Sequence, residues 1–166
     1  FETVVVDDVG VADDTRISAS RIRALVAEGR VREASVLLGA LPSITGEVVH
    51  GHARGRDLGF PTANLAPNSV GPVPADGVYA GWLTAAGRRM PAAISVSDNP
   101  TFEREDTTKV EAYVIDEDLD LYGQIVEVEF QDRIRGIEAF SSIDDLIVRM
   151  GIDVTEARSL LGVTAS

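Results

Sequence analysis

One stretch of the chain stands apart in its chemistry: Gly51-His52-Ala53-Arg54-Gly55-Arg56-Asp57-Leu58-Gly59-Phe60-Pro61-Thr62-Ala63-Asn64. Its glycines let backbone N–H groups approach an oxyanion, and Arg54 and Arg56 would neutralise it. That is the composition of a phosphate cradle. It is not a P-loop, because the single lysine, Lys109, lies far away in the chain. The same residues also suit a glycine-rich hairpin with solvated arginines, and composition alone favours the hairpin. Thr62 and Asn64 sit two apart, so in extended chain both side chains leave one face. A hydroxyl and an amide carbonyl are hard oxygen ligands that suit magnesium, which keeps waters and takes substrate phosphates. A turn in which Asn64 bonds its own backbone is the plainer use of that pair.

Glu111 is opposite in phase to Val110, Ala112 and Val114 on a predicted strand. Such a carboxylate is ordinarily a solvated outward residue. Its functional use would be as a general base that takes a hydroxyl proton. Glu127 and Glu129 carry the same spacing signal, so phase does not choose among the three. His50 and His52 are the only histidines and there is no cysteine, which leaves a zinc site short of ligands. No G-x-S-x-G elbow anchors a serine hydrolase. Ser18 and Ser20 suit the cap of the helix that follows them.

The elements that must position these residues fall into three groups. Thr3 to Val6 is a short β-branched run followed by a turn and an acidic loop. Helices are predicted from about Ser20 to Glu28 and from Val31 to Leu38, each closed by a glycine. A strand and two short helices are too little to bury a core of their own. From Ile44 the texture changes to strands: Ile44–His50, Gly77–Thr84, Met90–Ser97, Val110–Asp116 and Gln124–Gln131, with turn residues between them. No helical pattern separates these strands, so they should be antiparallel and closed or nearly closed. A last helix opens at Ser142-Ile143-Asp144-Asp145, which is similar to a capping box. Ile143, Leu146, Ile147, Met150, Val154, Ala157 and Leu161 form its apolar stripe, which should pack across the barrel.

Length and composition bound the answer. The chain has 166 residues, 45% apolar and 25% charged, which is ordinary globular material of about one domain. With 15 Lys and Arg against 27 Asp and Glu, the net charge is −12. A surface this acidic argues against non-specific binding to nucleic acid or anionic membranes, without forbidding one basic pocket for a phosphate. No apolar run approaches the length of a membrane helix. Phe1-Glu2-Thr3-Val4 has no signal-peptide pattern, and the lack of cysteine fits a reducing compartment.

In the stretch Gly59-Phe60-Pro61-Thr62-Ala63-Asn64 the sequence resembles the riboflavin kinase family, whose Pro-Thr-Ala-Asn motif it matches. Three further segments agree with the family in order and spacing: Pro74 to Gly81, Asn99-Pro100-Thr101-Phe102 followed by Val110-Glu111-Ala112-Tyr113, and Arg133 to Ser142. The likeness covers residues 39 to 161. Ile17-Ser18-Ala19-Ser20-Arg21-Ile22-Arg23 is similar to a nucleotide motif, Ile-Ser-Ser-Thr-x-Ile-Arg, of the adenylyltransferase module fused to this kinase in bacterial FAD synthetases. The chain departs from the family at Ala40-Leu41-Pro42, where Arg-Pro-Tyr is usual, and at Ser97, where glycine is usual.

The resemblance implies a mainly β fold. Its core would be a six-stranded antiparallel Greek-key barrel with a C-terminal α-helix, preceded by a small α/β remnant. Residues 1–39 would be the remnant of an adenylyltransferase module whose earlier part is missing, and 40–166 the kinase domain. The implied reaction is ATP plus riboflavin giving FMN and ADP, in the cytoplasm, with Mg2+ accompanying ATP. Gly51, His52, Arg54, Gly55, Arg56, Thr62, Asn64 and Asn99 would bind ATP and its phosphates, Thr62 and Asn64 also holding the metal. Glu111 would be catalytic, and Arg135 and Phe140 would meet the flavin. The partners would be ATP and riboflavin, with no nucleic acid and no membrane, and adenylylation of FMN to FAD would belong to the longer parent chain. Two other readings stay open: a flavin- or nucleotide-binding regulatory barrel without turnover, and an oligonucleotide-binding barrel. The acidity and the lone Trp82 disfavour the second of these.

Overall fold

Alternating burial along the strand segments is what closes this chain on itself. The computed structural model describes residues 18–51, 55, 58–98 and 108–164. The predicted strand at Thr3–Val6 lies outside them, as do His52, Arg54, Arg56 and Asn99. Six strands follow in order: β1 Ser43–Val49, β2 Thr62–Leu65, β3 Gly77–Ala85, β4 Arg88–Asp98, β5 Thr108–Val114 and β6 Ile125–Arg135. They form a closed barrel in the order β1-β2-β5-β4-β3-β6. Every pairing is antiparallel. Strands β3, β4 and β5 run as consecutive hairpins, and β6 returns to lie beside β3, which is a Greek key.

The interior is filled by the inward residues of all six strands, among them Ile44, Tyr79, Leu83, Ile94 and Phe130. A fully buried side chain such as Leu83 or Phe130 contributes about 1.5–3 kcal/mol to the folded state. The Tyr79 ring meets Phe130 edge to face at 5.5 Å. Its hydroxyl donates to the Ala75 carbonyl.

Helices α1 (Ala19–Ala27) and α2 (Val31–Leu38) precede the barrel. Ser18, not Ser20, caps α1, its side chain accepting from the Arg21 N–H. Gly39 ends α2 at φ 73°, a left-handed position that suits glycine. The hairpin does not stand apart. Val31 belongs to the barrel core, and Arg32 donates to the buried Asp132 of β6 at 2.7 Å.

Helix α3 (Ile143–Leu161) crosses the outside of the barrel, as its apolar stripe predicts. Val154, Ala157 and Leu161 pack with Ala80, Ala93, Tyr113 and Ile134 in a second apolar layer. Strand β3 is therefore buried on both faces, and reads as a nearly continuous buried run. The stripe fails at its first member. Ile143, in the first turn of α3, is 64% exposed. The cap itself forms: Ser142 Oγ accepts the Asp145 N–H at 3.1 Å. The Asp145 carboxylate takes the Ser141 hydroxyl, at 2.8 Å. No helix among the described residues is long and apolar enough to cross a membrane.

Candidate functional site

The site is built on the outer face of the barrel, where β2, β5 and β4 lie side by side. Ala63, Ala112 and Ile94 point into the core, so their neighbours point out. Asn64 stands opposite Glu111, and Thr62 opposite Tyr113. On its other side Glu111 faces Ser95 of β4. Directly opposed residues on an antiparallel pair have Cβ atoms about 4.5–5.5 Å apart. The threonine, the asparagine and the strand carboxylate thus share one surface.

Local backbone chemistry holds β2 in place. The Phe60 N–H donates to the Gly55 carbonyl at 2.7 Å, and Gly59 turns the chain at φ +85°. Gly51 lies against the Asn64 amide so closely that a Cβ would collide with it. A Cβ on Gly55 would fall 2.5 Å from the Phe60 carbonyl and 3.3 Å from Thr62 Oγ1. These two glycines are where the backbone touches the candidate ligands. Asn64 Nδ2 donates to the Thr62 carbonyl at 3.2 Å, which turns its Oδ1 away from β2's own backbone. The local bond foreseen for a turn is therefore made within a strand.

Three hollows reach these side chains, two on the outer face and one from the barrel interior. The first, about 270 Å³, lies under α3 and reaches Phe60, Thr62, Ser95, Glu111, Arg135 and Phe140. A second, about 240 Å³, is edged by His50, Gly51, Asn64, Lys109 and Glu111. A narrow third, about 40 Å³, lies at the edge of the barrel interior, where Thr62, Asn64 and Tyr122 meet the core residues Val48, Ala63, Ala112 and Leu121. Thr62, Asn64 and Glu111 each line two of the three. Two molecules held in neighbouring hollows would meet at these side chains.

The structure separates the three carboxylates that phase left equal. Glu127 accepts from Ser43 at 2.8 Å, and Glu129 accepts from Arg89 at 2.6 Å. Both sit on β6, across the barrel from β5. Glu111 has no hydrogen bond or ion pair to a described residue. Thr62 and Asn64 supply neutral oxygens, and no cluster of three or more His, Asp or Glu that could hold a metal occurs among the described residues. A metal here would need further oxygens from its ligand, which suits a magnesium–phosphate complex better than a protein-caged ion.

Arg135 and Phe140 do lie in the cleft under α3, but Arg135 is largely committed. It donates to Asp153 through Nε and Nη2, the latter at 2.7 Å, and through Nη1 to the Gly136 carbonyl at 3.0 Å. Hydrogen bonding to Asp153 raises its pKa above the ordinary guanidinium value. His50 stacks on Tyr122 at 3.8 Å, at the edge of two of the hollows. Asp153, Tyr113 and Ser95 were not legible as site residues. Asp153 carried a signal nonetheless: it is an acid beside Val154 on the apolar face of a helix, where a charge needs a partner.

The riboflavin kinase family model matches residues 38–161. The bifunctional riboflavin kinase/FMN adenylyltransferase of Listeria monocytogenes is 33% identical over 159 residues, 96% of this chain and 50% of that protein. The protein of the same name from Bacillus subtilis is 36% identical over 146 residues, 87% of this chain and 46% of that protein. The chain spans about half the length of the curated relatives it matches. The crystal structure of a macrolide-efflux protein from Streptococcus pneumoniae matches with a TM-score of 0.84 and 38% identity, over 93% of this chain and 50% of that one. The riboflavin kinase of Trypanosoma brucei matches with a TM-score of 0.52 and 26% identity, over 75% of this chain and 79% of that one.

Proposed function

This chain belongs to the riboflavin kinase family, and from that premise we propose that its barrel transfers the γ-phosphoryl group of ATP to the 5′-hydroxyl of riboflavin's ribityl chain. The products are FMN and ADP. The observation that carries the reading is the meeting of three hollows at Thr62, Asn64 and Glu111. A transferase that joins two small substrates needs such a junction, whereas a binder of one ligand does not.

Phosphoryl transfer is mostly positioning and charge neutralisation. Glu111 has no ion pair to a described residue, which suits it to orient the ribityl hydroxyl and accept its proton as the P–O bond forms. The flavin lies in the cleft under α3, near Arg135 and Phe140. The triphosphate lies toward Gly51, Gly55, Thr62 and Asn64. His52, Arg54, Arg56 and Asn99 fall outside the described residues, and their part in covering ATP rests on the family likeness alone. Thr62 Oγ1 and Asn64 Oδ1 would hold magnesium, which when bound neutralises the phosphate oxygens. We take residues 1–39 as the end of an adenylyltransferase module and 40–166 as the kinase module, acting in the cytoplasm with ATP and riboflavin as partners. The direct test is incubation with riboflavin, ATP and magnesium, followed by chromatography. FMN should accumulate; none formed at saturating substrates would overturn the assignment.

A further inference from the structure

We propose that Asp153 is a positioning residue for the acceptor: it clamps Arg135 and through it fixes Phe140, the cleft wall against which the flavin ring lies. This rests on the kinase reading for the identity of the ligand, though not for the clamp itself.

The observations are geometric. Asp153 is only 4% exposed, yet it is charged and sits on the helix face that covers the barrel. Both its oxygens accept from Arg135 Nε, at 2.9 and 3.1 Å, and Oδ2 also accepts from Nη2 at 2.7 Å. Arg149, one turn earlier on α3, brings its Nε to 3.2 Å from Oδ1. Glu138 lies 4.0 Å from Arg135 and 3.9 Å from Arg149, so two cations and two anions balance. The Arg135 guanidinium then stands 5.7 Å over the Phe140 ring.

Phe140 belongs to the segment between β6 and α3, which has no regular secondary structure to hold it. Its ring must be fixed by side chains. A buried ion pair is a poor way to add stability, since well-packed apolar residues of the same volume serve as well or better. What an ion pair of this geometry does supply is direction: the two-toothed contact fixes the guanidinium plane. Arg135 stands at the end of β6 and Asp153 in the middle of α3, so the pair also sets the width of the cleft between strand and helix.

The test separates direction from mere stability. Asp153→Asn keeps the volume and removes the charge. It should raise the KM and Kd for riboflavin by roughly tenfold to a hundredfold, because Arg135 and Phe140 would then have to be ordered at the expense of binding. The KM for ATP and the kcat should stay within about twofold, since the residues around Thr62 and Asn64 are untouched. Arg135→Gln should do the same, and the double variant should be no worse than either single one. Phe140→Leu, which leaves every charge in place, should reproduce the riboflavin effect. Riboflavin Kd is read from flavin fluorescence and needs no turnover. A wild-type protein that binds riboflavin but makes no FMN sinks the kinase reading and leaves the clamp testable. A wild type that binds no flavin sinks both. Variants that lose thermal stability while riboflavin Kd stays unchanged, or a Phe140→Leu protein with normal Kd, would overturn the clamp.

Discussion

Glu111 is distinguished by its surroundings, not by its chemistry. The chain carries 27 acidic residues, and three of them alternate with apolar neighbours on strands in the same way. Pairing to Ser43 and Arg89 occupies Glu127 and Glu129, while Glu111 faces Asn64 and Ser95. Glu111→Gln, which keeps the shape and removes the base, should lower kcat for FMN formation by about 10²- to 10⁴-fold with the KM for ATP little changed. A variant with near-normal kcat would remove Glu111 from the role. Gly51 offers a second test, since a Cβ there would strike the Asn64 amide. Gly51→Ala should push Asn64 aside and weaken nucleotide binding measured with magnesium present, with a smaller effect when magnesium is chelated. Equal losses in both titrations would contradict a metal role for Asn64. The two-residue spacing of Thr62 and Asn64 was legible because strand geometry follows from local sequence. The choice of Glu111 was not, because it depends on which strands become neighbours when the barrel closes.

The elements that frame the site were unequally legible, and the reasons are physical. Helix α2 was readable to the residue, since Gly39 marks its end by a backbone conformation few other residues adopt. Strand β2 was not separable from a turn, because four residues are too few for alternation to register. Strand β6 runs on to Arg135, beyond the clear alternation, carried by pairing with β3 that includes two register shifts. Helix α3 is the element on which the cleft most depends, since it forms one wall. Its N-terminus is held by Ser142 Oγ, which satisfies the Asp145 N–H. Ser142→Ala should cost about 1 kcal/mol, the usual value for a lost cap. Ile143 in the first turn is already exposed, so the loss should fray the end beside Phe140 without unfolding the barrel. Thermal unfolding should shift down by a few degrees while riboflavin KM rises; a shifted melting curve with unchanged KM would show that the first turn of α3 does not shape the cleft.

At the scale of the whole molecule, the barrel and the preceding hairpin behave as one packed body. Val31 sits in the barrel core, Arg32 holds Asp132, and the Gly29 turn lies against the Tyr79 hydroxyl. Sequence texture drew a boundary near residue 39, where helices give way to strands. It had no means of seeing a contact made between Arg32 and a carboxylate 100 residues away. The packing bears on division of labour in the relatives, which are about twice as long and carry two activities in their names. The family match, residues 38–161, covers one of those activities, and every residue lining the three hollows falls within it. Adenylyl transfer to FMN would need a second nucleotide site. The family match does not extend to residues 1–37, where Ile17 to Arg23 offers one short likeness to such a site. The 166-residue chain should therefore convert riboflavin to FMN and stop there. Supplied with FMN, ATP and magnesium, it should yield no FAD by chromatography over times in which riboflavin is fully consumed. FAD appearing at a comparable rate would mean that the barrel and its hairpin carry both reactions.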